Sequence, residues 1–299
     1  MDALTTAQSW PVPTASAAWI TSSGGRQATD NSALPFPLAS VTKPLFTYAV
    51  LVAIEEGTLS LDEAAGPNGS TIRHLLAHAS GLGDQPDIIL ADVGSRRIYS
   101  NAGFELLGEA LTDASGMSAA TYLHEAVVEP LGMSNHTTLS GSPAYAATST
   151  VDDLMLLAAE WLNPRLISPE TMSVATTPQF PELTGVLPGY GRQAPNPWGL
   201  GFEIRGSKSP HWTGITNSPA TFGHFGASGT FLWVDPAIGV ACMALTDRDF
   251  GPWSVQAWTP FADAVIAEAT RAGHYQYGVE GVGAEALVNQ VPPIYHLEA

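Results

Sequence analysis

The chain has 299 residues, 45% of them hydrophobic, with a formal net charge of −17 at neutral pH. At about 150 residues per domain this leaves room for two domains, or for one large domain with an insertion, around a substantial core. A field of that sign excludes nucleic acid and anionic membrane surfaces as expected partners, and because the acidity is spread along the chain it reads as a solvated surface.

Met1 to Thr6 carries neither a basic segment nor an apolar stretch of signal-peptide length, and no apolar run approaches the ~20 residues of a membrane span, so a cytoplasmic location is expected. Ala15 to Thr21 is a strand candidate closed by Ser22-Ser23-Gly24-Gly25. From Val41 to Glu56 apolar residues recur at helical spacing (Leu45, Tyr48, Ala49, Val52, Ala53), and Gly57 follows as a stop. Further helices are predicted over Thr71 to His78, Asn101 to Asp113, Ala119 to Val128 and Val151 to Trp161. Thr176 to Pro197, rich in Pro and Gly, reads as a long loop of the kind that is often functional.

The period then changes. Gly201 to Arg205, Thr230 to Val234 and Val240 to Leu245 read as strands, the last two joined by a turn at Asp235-Pro236-Ala237-Ile238-Gly239, and Val255 to Ala272 reads as an amphipathic helix. The lone cysteine, Cys242, falls in an apolar strand and reads as a structural thiol that cannot form an internal disulfide. With strands near both ends and helices between them, the economical architecture is α+β: one antiparallel sheet built from both termini and flanked by helices, with an inserted all-α domain.

Three motifs carry chemistry. Ser40-Val41-Thr42-Lys43 opens a predicted helix, and residues three apart share a helix face, so the Lys43 amine can reach the Ser40 hydroxyl. A serine nucleophile needs a base; the helix N-terminus and a neighbouring cation would lower the lysine pKa towards a usable range. Tyr99-Ser100-Asn101 offers a phenol that a nearby ammonium could turn into phenolate for proton transfer, and an amide that could hold substrate and tether Lys43. Gly223-His224-Phe225-Gly226-Ala227-Ser228-Gly229 precedes a strand and could give a backbone N–H to an oxyanion hole shared with the Ser40 N–H, although a flexible turn would have the same composition.

In this order the three motifs resemble the signature of class C β-lactamases, penicillin-binding proteins and the related carboxylesterases, a variant of the Ser-x-x-Lys set of class A enzymes. Connecting segments carry the resemblance further: Leu34 to Lys43, Ile72 to Leu82, Glu129-Pro130-Leu131-Gly132-Met133 and Trp198-Gly199-Leu200-Gly201-Phe202. The resemblance implies a β-lactamase-like fold, with 1–40 and 198–299 forming the sheet domain, 41–197 the mainly helical domain, and the site in the cleft between them. It also implies an acylated Ser40, proton transfer shared by Lys43 and Tyr99, substrate contact by Asn101, and oxyanion N–H groups from Ser40 and Ala227, with His224 and Gly226 on the substrate-binding edge. Tyr190, Trp198 and Trp212 are candidates for an acyl or alcohol pocket, with packing as the competing explanation. No cofactor is expected.

Lactam-active members carry Lys-Thr-Gly where this chain has His224-Phe225-Gly226, and the segment before Ser40 is short. A histidine with a reference pKa near ~6.5 is mostly neutral at pH 7.5 and gains charge as the pH falls. The expected activity is therefore hydrolysis of small carboxylic esters; β-lactamase, D-amino-acid amidase or peptidase, acyltransferase and a non-catalytic binding protein are the alternatives. His74 and His78 have metal-compatible spacing without an evident third ligand, His124-Glu125 does not extend into a zinc motif, and Gly116 to Ala120 only approximates a nucleophile elbow, so no metal site is expected. The tail after Gly273 resembles nothing familiar and could wrap the surface or mediate association.

Overall fold

The structure, a computed structural model, describes residues 2–276. Its helices are α1 (Ala3–Gln8), α2 (Thr42–Glu55), α3 (Ile72–Leu76), α4 (Asn101–Ser115), α5 (Ala119–Leu123), α6 (Val151–Leu162), α7 (Pro169–Ala175) and α8 (Pro252–Gln276). Its strands are β1 (Ala15–Thr21), β2 (Arg26–Ala28), β3 (Phe36–Pro37), β4 (Thr138–Leu139), β5 (Ala147–Ser149), β6 (Gly185–Leu187), β7 (Gly191–Gln193), β8 (Glu203–Ile204), β9 (Phe222–Gly226), β10 (Thr230–Asp235) and β11 (Val240–Thr246).

The main sheet has the order β2-β1-β11-β10-β9-β8, so β1 from the start of the chain pairs antiparallel with β11 from its end, Ala15 opposite Thr246 and Thr21 opposite Val240. This is the expected α+β architecture. Both faces of β10 and β11 are buried, which is why they read as continuous apolar runs rather than alternating ones. Leu232, Val234, Ala241 and Met243 belong to the core shared with α2 and α6; Phe231, Trp233, Cys242 and Ala244 pack with α1 and α8. Cys242 is a free, buried thiol, as its setting predicts.

Helix α2 is buried from Thr42 to Ala53, on every face rather than along one stripe. It is the central post of the molecule, and Lys43 is the only charged side chain within its buried stretch. The other helices follow their local signals. Ser100, Ser118, Thr150 and Ser168 cap α4, α5, α6 and α7 through side-chain oxygens, and Gly116, at φ 73°, ends α4.

Several elements differ from the sequence expectation. The helix expected to begin at Val41 begins at Thr42, after a single 3₁₀ turn over Ala39–Val41. The helix predicted over Ala119 to Val128 changes at His124 into one π-helical turn. The loop from Thr176 to Pro197 contains the small β6–β7 hairpin, and Phe222–Gly226 is itself a strand rather than a turn leading into one. Helices α1 and α7, six and seven residues long, lie outside the elements predicted from sequence. The tail beyond Gln276 lies outside the described residues.

Candidate active site

Ser40 lies in the 3₁₀ turn at the head of α2. Ala39, just before it, has φ 46°, a left-handed conformation that costs a non-glycine residue on the order of 1–3 kcal/mol and is held by its surroundings. Three hydrogen bonds hold it: the Leu38 N–H donates to the Ala147 carbonyl at 2.9 Å, the Thr230 hydroxyl to the Leu38 carbonyl at 2.8 Å, and the Ser228 hydroxyl to the Pro37 carbonyl at 2.8 Å. Strand β9 passes very close. A Cβ at Gly226 would lie 2.5 Å from the Leu38 carbonyl oxygen and 3.0 Å from the Ala39 Cβ, so only glycine permits the approach.

One helical turn on from Ser40, the Lys43 side chain is fully buried. Its Nζ lies 3.4 Å from Ser40 Oγ and donates to Asn101 Oδ1 at 2.6 Å and to the Ala144 carbonyl at 2.9 Å. Burial pulls its pKa down to about 7, against the Asp84 and Glu105 carboxylates, which pull it up. The depression comes from desolvation, and no neighbouring cation contributes to it. A neutral amine has two N–H groups. They match the two acceptors, Asn101 Oδ1 and the Ala144 carbonyl, and the lone pair is left for Ser40.

The Tyr99 hydroxyl donates to Ser40 Oγ at 2.7 Å, and Lys43 Nζ sits 4.6 Å from the centre of the Tyr99 ring. Burial pushes the Tyr99 pKa up, so Tyr99 rests as a phenol and not as the phenolate anticipated from its proximity to a lysine. The reason is physical: desolvation of a buried anion, helped by the Asp84 carboxylate, outweighs the hydrogen bond to Ser40. Ser100 sets the geometry of both neighbours. Its Oγ accepts the Gly103 N–H as the cap of α4 and donates to the Gly83 carbonyl at 2.6 Å, while its own N–H donates to His78 Nδ1. Tyr99 and Asn101 therefore project from a backbone fixed on either side.

A pocket of about 250 Å³ opens beside Ser40. Leu187, Pro188, Trp198, Phe225 and Phe250 supply its apolar walls, with Tyr99, Asn101, Glu203, His224 and Ala227 as the remaining lining. Of the expected substrate-binding residues, Asn101, Trp198, His224 and Ala227 line this pocket. Gly226, Tyr190 and Trp212 do not. Gly226 acts through its missing side chain. Tyr190 is buried with its ring edge-on to Phe225, and the Trp212 indole N–H donates to Glu203 at 2.9 Å, so both support the wall from behind. The Ala227 carbonyl accepts the Phe250 N–H at 2.8 Å, and among the described residues no hydrogen bond occupies the N–H groups of Ser40 and Ala227.

His224 departs from expectation. Burial, reinforced by Lys43, lowers its pKa to about 3. It is neutral throughout the working range and gains no charge near pH 6.5. His74 and His78 have local roles: His74 meets the Thr71 hydroxyl at 2.9 Å and stacks on Phe180, and His78 packs at 4.6 Å from Tyr99 and is held neutral by burial.

Two buried residues that frame the site were not singled out in the sequence. Arg97 spends its guanidinium on carbonyls: Nε on Asn196, Nη1 on Ala77, Nη2 on Gln179 and Phe180, which pins the loops behind Tyr99. Glu203 accepts from Lys208, from His211 Nε2 (2.9 Å) and from Trp212, and Lys208 also donates to the Pro197 carbonyl at 3.0 Å, fixing the segment that carries Trp198. A charged residue inside the apolar strand predicted over Gly201 to Arg205 was the available signal for Glu203. Arg97, in a polar loop, gave none.

A helix headed by a serine on which lysine and tyrosine converge, set against an antiparallel sheet, is the arrangement of a serine hydrolase of the beta-lactamase type. The chain belongs to the beta-lactamase family, whose model matches residues 14–266. A crystal structure of a beta-lactamase from Mycobacterium bovis is similar at 54% identity and a TM-score of 0.88, covering 90% of this chain and 99% of that one. Esterase EstB from Burkholderia gladioli is 25% identical over 78% of this chain and 82% of its own length. A penicillin-binding protein of Bacillus subtilis is 30% identical over 131 residues, 33% of this chain, and the match spans only 29% of that relative's length. The simvastatin synthase of Aspergillus terreus, at 19% identity and a TM-score of 0.73 over 90% of this chain and 98% of that one, shares the fold. No described helix is long and apolar enough to cross a membrane.

Proposed function

We propose that the protein hydrolyses small, uncharged carboxylic esters through an acyl-enzyme on Ser40. The observation that carries this reading is the placement of Ser40 Oγ between the Tyr99 hydroxyl at 2.7 Å and Lys43 Nζ at 3.4 Å, at the wall of an apolar pocket. In the proposed reaction Ser40 Oγ attacks the ester carbonyl carbon, and its proton passes to the neutral Lys43 amine, directly or through Tyr99. The carbonyl π electrons move onto oxygen, where the N–H groups of Ser40 and Ala227 would hold the charge. Collapse breaks the bond to the alkoxy group, which leaves as an alcohol with a proton from Tyr99 that Lys43 replaces. Water then repeats the sequence on the acyl-enzyme. We take this site to lie in the cleft between the described parts of 1–40 and 198–299 on one side and 41–197 on the other.

The choice of esters over lactams rests on charge. Among the described residues that line the pocket none is Lys or Arg, and His224 is neutral. A β-lactam carboxylate therefore meets no free cation, and the net charge of the molecule opposes it. EstB supports the reading as a similar esterase; the similar beta-lactamase and penicillin-binding protein keep lactam hydrolysis as the runner-up. The expected result is a kcat/KM for a short-chain nitrophenyl ester well above that for a chromogenic cephalosporin, with the acyl adduct found on Ser40 by intact mass. An equal or higher cephalosporin value would replace the ester reading with the lactam one.

Tyr99→Phe keeps the ring packed against His78 and Lys43 and removes only the hydroxyl. A loss of roughly 10²–10⁴ in kcat is expected for a proton-transfer group. Unchanged kinetics alongside an unchanged circular dichroism spectrum would assign the transfer to Lys43 and water.

A further inference from the structure

We infer that His224 selects substrates bearing a hydroxyl group, which it recognises as a hydrogen-bond acceptor; this rests on the ester-hydrolase reading above. His224 Nδ1 lies 2.6 Å from the Phe225 carbonyl oxygen. A carbonyl can only accept, so Nδ1 carries the hydrogen. A neutral ring has one N–H, so Nε2 holds a lone pair. Nε2 is buried and has no partner, although His224 lines the pocket and is only 4% exposed. A buried acceptor without a donor is costly to the protein, and in a residue that lines the pocket it calls for a partner from outside the chain.

The other polar groups of the pocket narrow what that ligand is. The Glu203 carboxylate is taken by Lys208, His211 and Trp212, and Asn101 Oδ1 by Lys43. Beside the Ser40 and Tyr99 hydroxyls, what the lining side chains and oxyanion N–H groups leave for substrate is a set of donors, the Asn101 amide N–H₂, the Trp198 indole N–H and the N–H groups of Ser40 and Ala227, and one neutral side-chain acceptor, His224 Nε2. The His224 ring centre lies 5.4 Å from that of Trp198 and 5.7 Å from that of Tyr99, so the imidazole sits among aromatic rings. A carboxylate placed there would oppose lone pair to lone pair, and a methyl group would leave the nitrogen unpaired. A hydroxyl donates to it. This reverses the sign of recognition associated with a lysine at the corresponding position.

The test uses nitrophenyl esters of 2- and 3-hydroxybutyrate, each beside its methyl isostere (2- and 3-methylbutyrate), together with the succinate monoester, all corrected for their alkaline hydrolysis rates. For at least one hydroxyl position, kcat/KM is expected to exceed that of the isostere by about tenfold, the worth of one hydrogen bond to a buried group, with the succinate ester lowest. The hydroxyl-to-methyl ratio is expected to fall to about one in His224→Phe and to survive in His224→Gln, whose amide oxygen restores an acceptor. Because it is a ratio, it is insensitive to any general loss the substitutions cause. Independently, the ring nitrogen shifts in ¹⁵N NMR of the intact protein should show a protonated Nδ1 and an unprotonated Nε2. A ratio of one in the wild type, a ratio that persists in His224→Phe, a preference for the succinate ester, or a protonated Nε2 would each overturn the inference while leaving Ser40 acylation standing. Absence of any acyl adduct on Ser40 would remove the hydrolase reading, and the inference with it.

Discussion

Ser40→Ala is expected to lower kcat by on the order of 10⁶, the loss seen when the nucleophile of a cooperating catalytic group is deleted. The size follows from how little else the pocket offers. The other hydroxyl on its wall is Tyr99, a phenol that burial holds in its protonated form. Ser228, the nearby hydroxyl on the β9–β10 turn, is committed to the Pro37 carbonyl at 2.8 Å. The substitution should not disturb folding, because Ser40 Oγ bonds only to the Tyr99 and Lys43 side chains. The strained Ala39 turn is held instead by Leu38, Thr230 and Ser228, whose bonds the substitution leaves in place. The measurement is steady-state turnover of a butyryl nitrophenyl ester with intact-mass analysis of the quenched reaction. A variant that retained a tenth of the wild-type rate, or that still gained an acyl mass, would move the attack to another residue.

The expectation for Ser40 came from sequence, and it is instructive which other parts were legible there. The long helices, the strands near both ends and the β10–β11 turn could be read because each carries a period or a turn signal over a sufficient window. The grouping of Ser40, Lys43, Tyr99 and Asn101 came from their resemblance to a family rather than from spacing, since each motif alone is commonplace. The protonation states were not legible. Lys43, Tyr99 and His224 are all governed by desolvation, which depends on what α4, β9 and the Trp198 segment place around them and leaves no local trace. The same holds for Arg97 and Glu203. Their importance lies in carbonyls and donors contributed from distant segments, such as Ala77 with Asn196 and Pro197 with Trp212. Trp212 and Tyr190 show the converse limit: an aromatic residue in a loop near a site can equally form its lining or the layer behind it.

Lys43→Arg is expected to be nearly as damaging as Lys43→Ala, a loss on the order of 10⁴–10⁶ in kcat. Arginine preserves a positive charge, but in the proposed reaction Lys43 supplies a lone pair. The buried amine, brought to about 7, is close to half neutral at physiological pH, whereas a guanidinium keeps its proton at any working pH. Its planar fork also brings five donors to a position where Asn101 Oδ1 and the Ala144 carbonyl are the acceptors in place besides Ser40. The pH profile separates charge from basicity. With neutral Lys43 as the acceptor of the Ser40 proton, log kcat/KM of the wild type should fall by one unit per pH unit below about 7 and level off above it; the residual activity of Lys43→Arg should show no such limb. Asp84 supplies the sign check. Its carboxylate favours the ammonium form of Lys43, so Asp84→Asn should shift the acid limb to lower pH, by a fraction of a unit because Asp84 is exposed and screened. Near-normal turnover in Lys43→Arg, or an acid limb that moves to higher pH in Asp84→Asn, would mean that Lys43 serves as a fixed charge and that the base lies elsewhere.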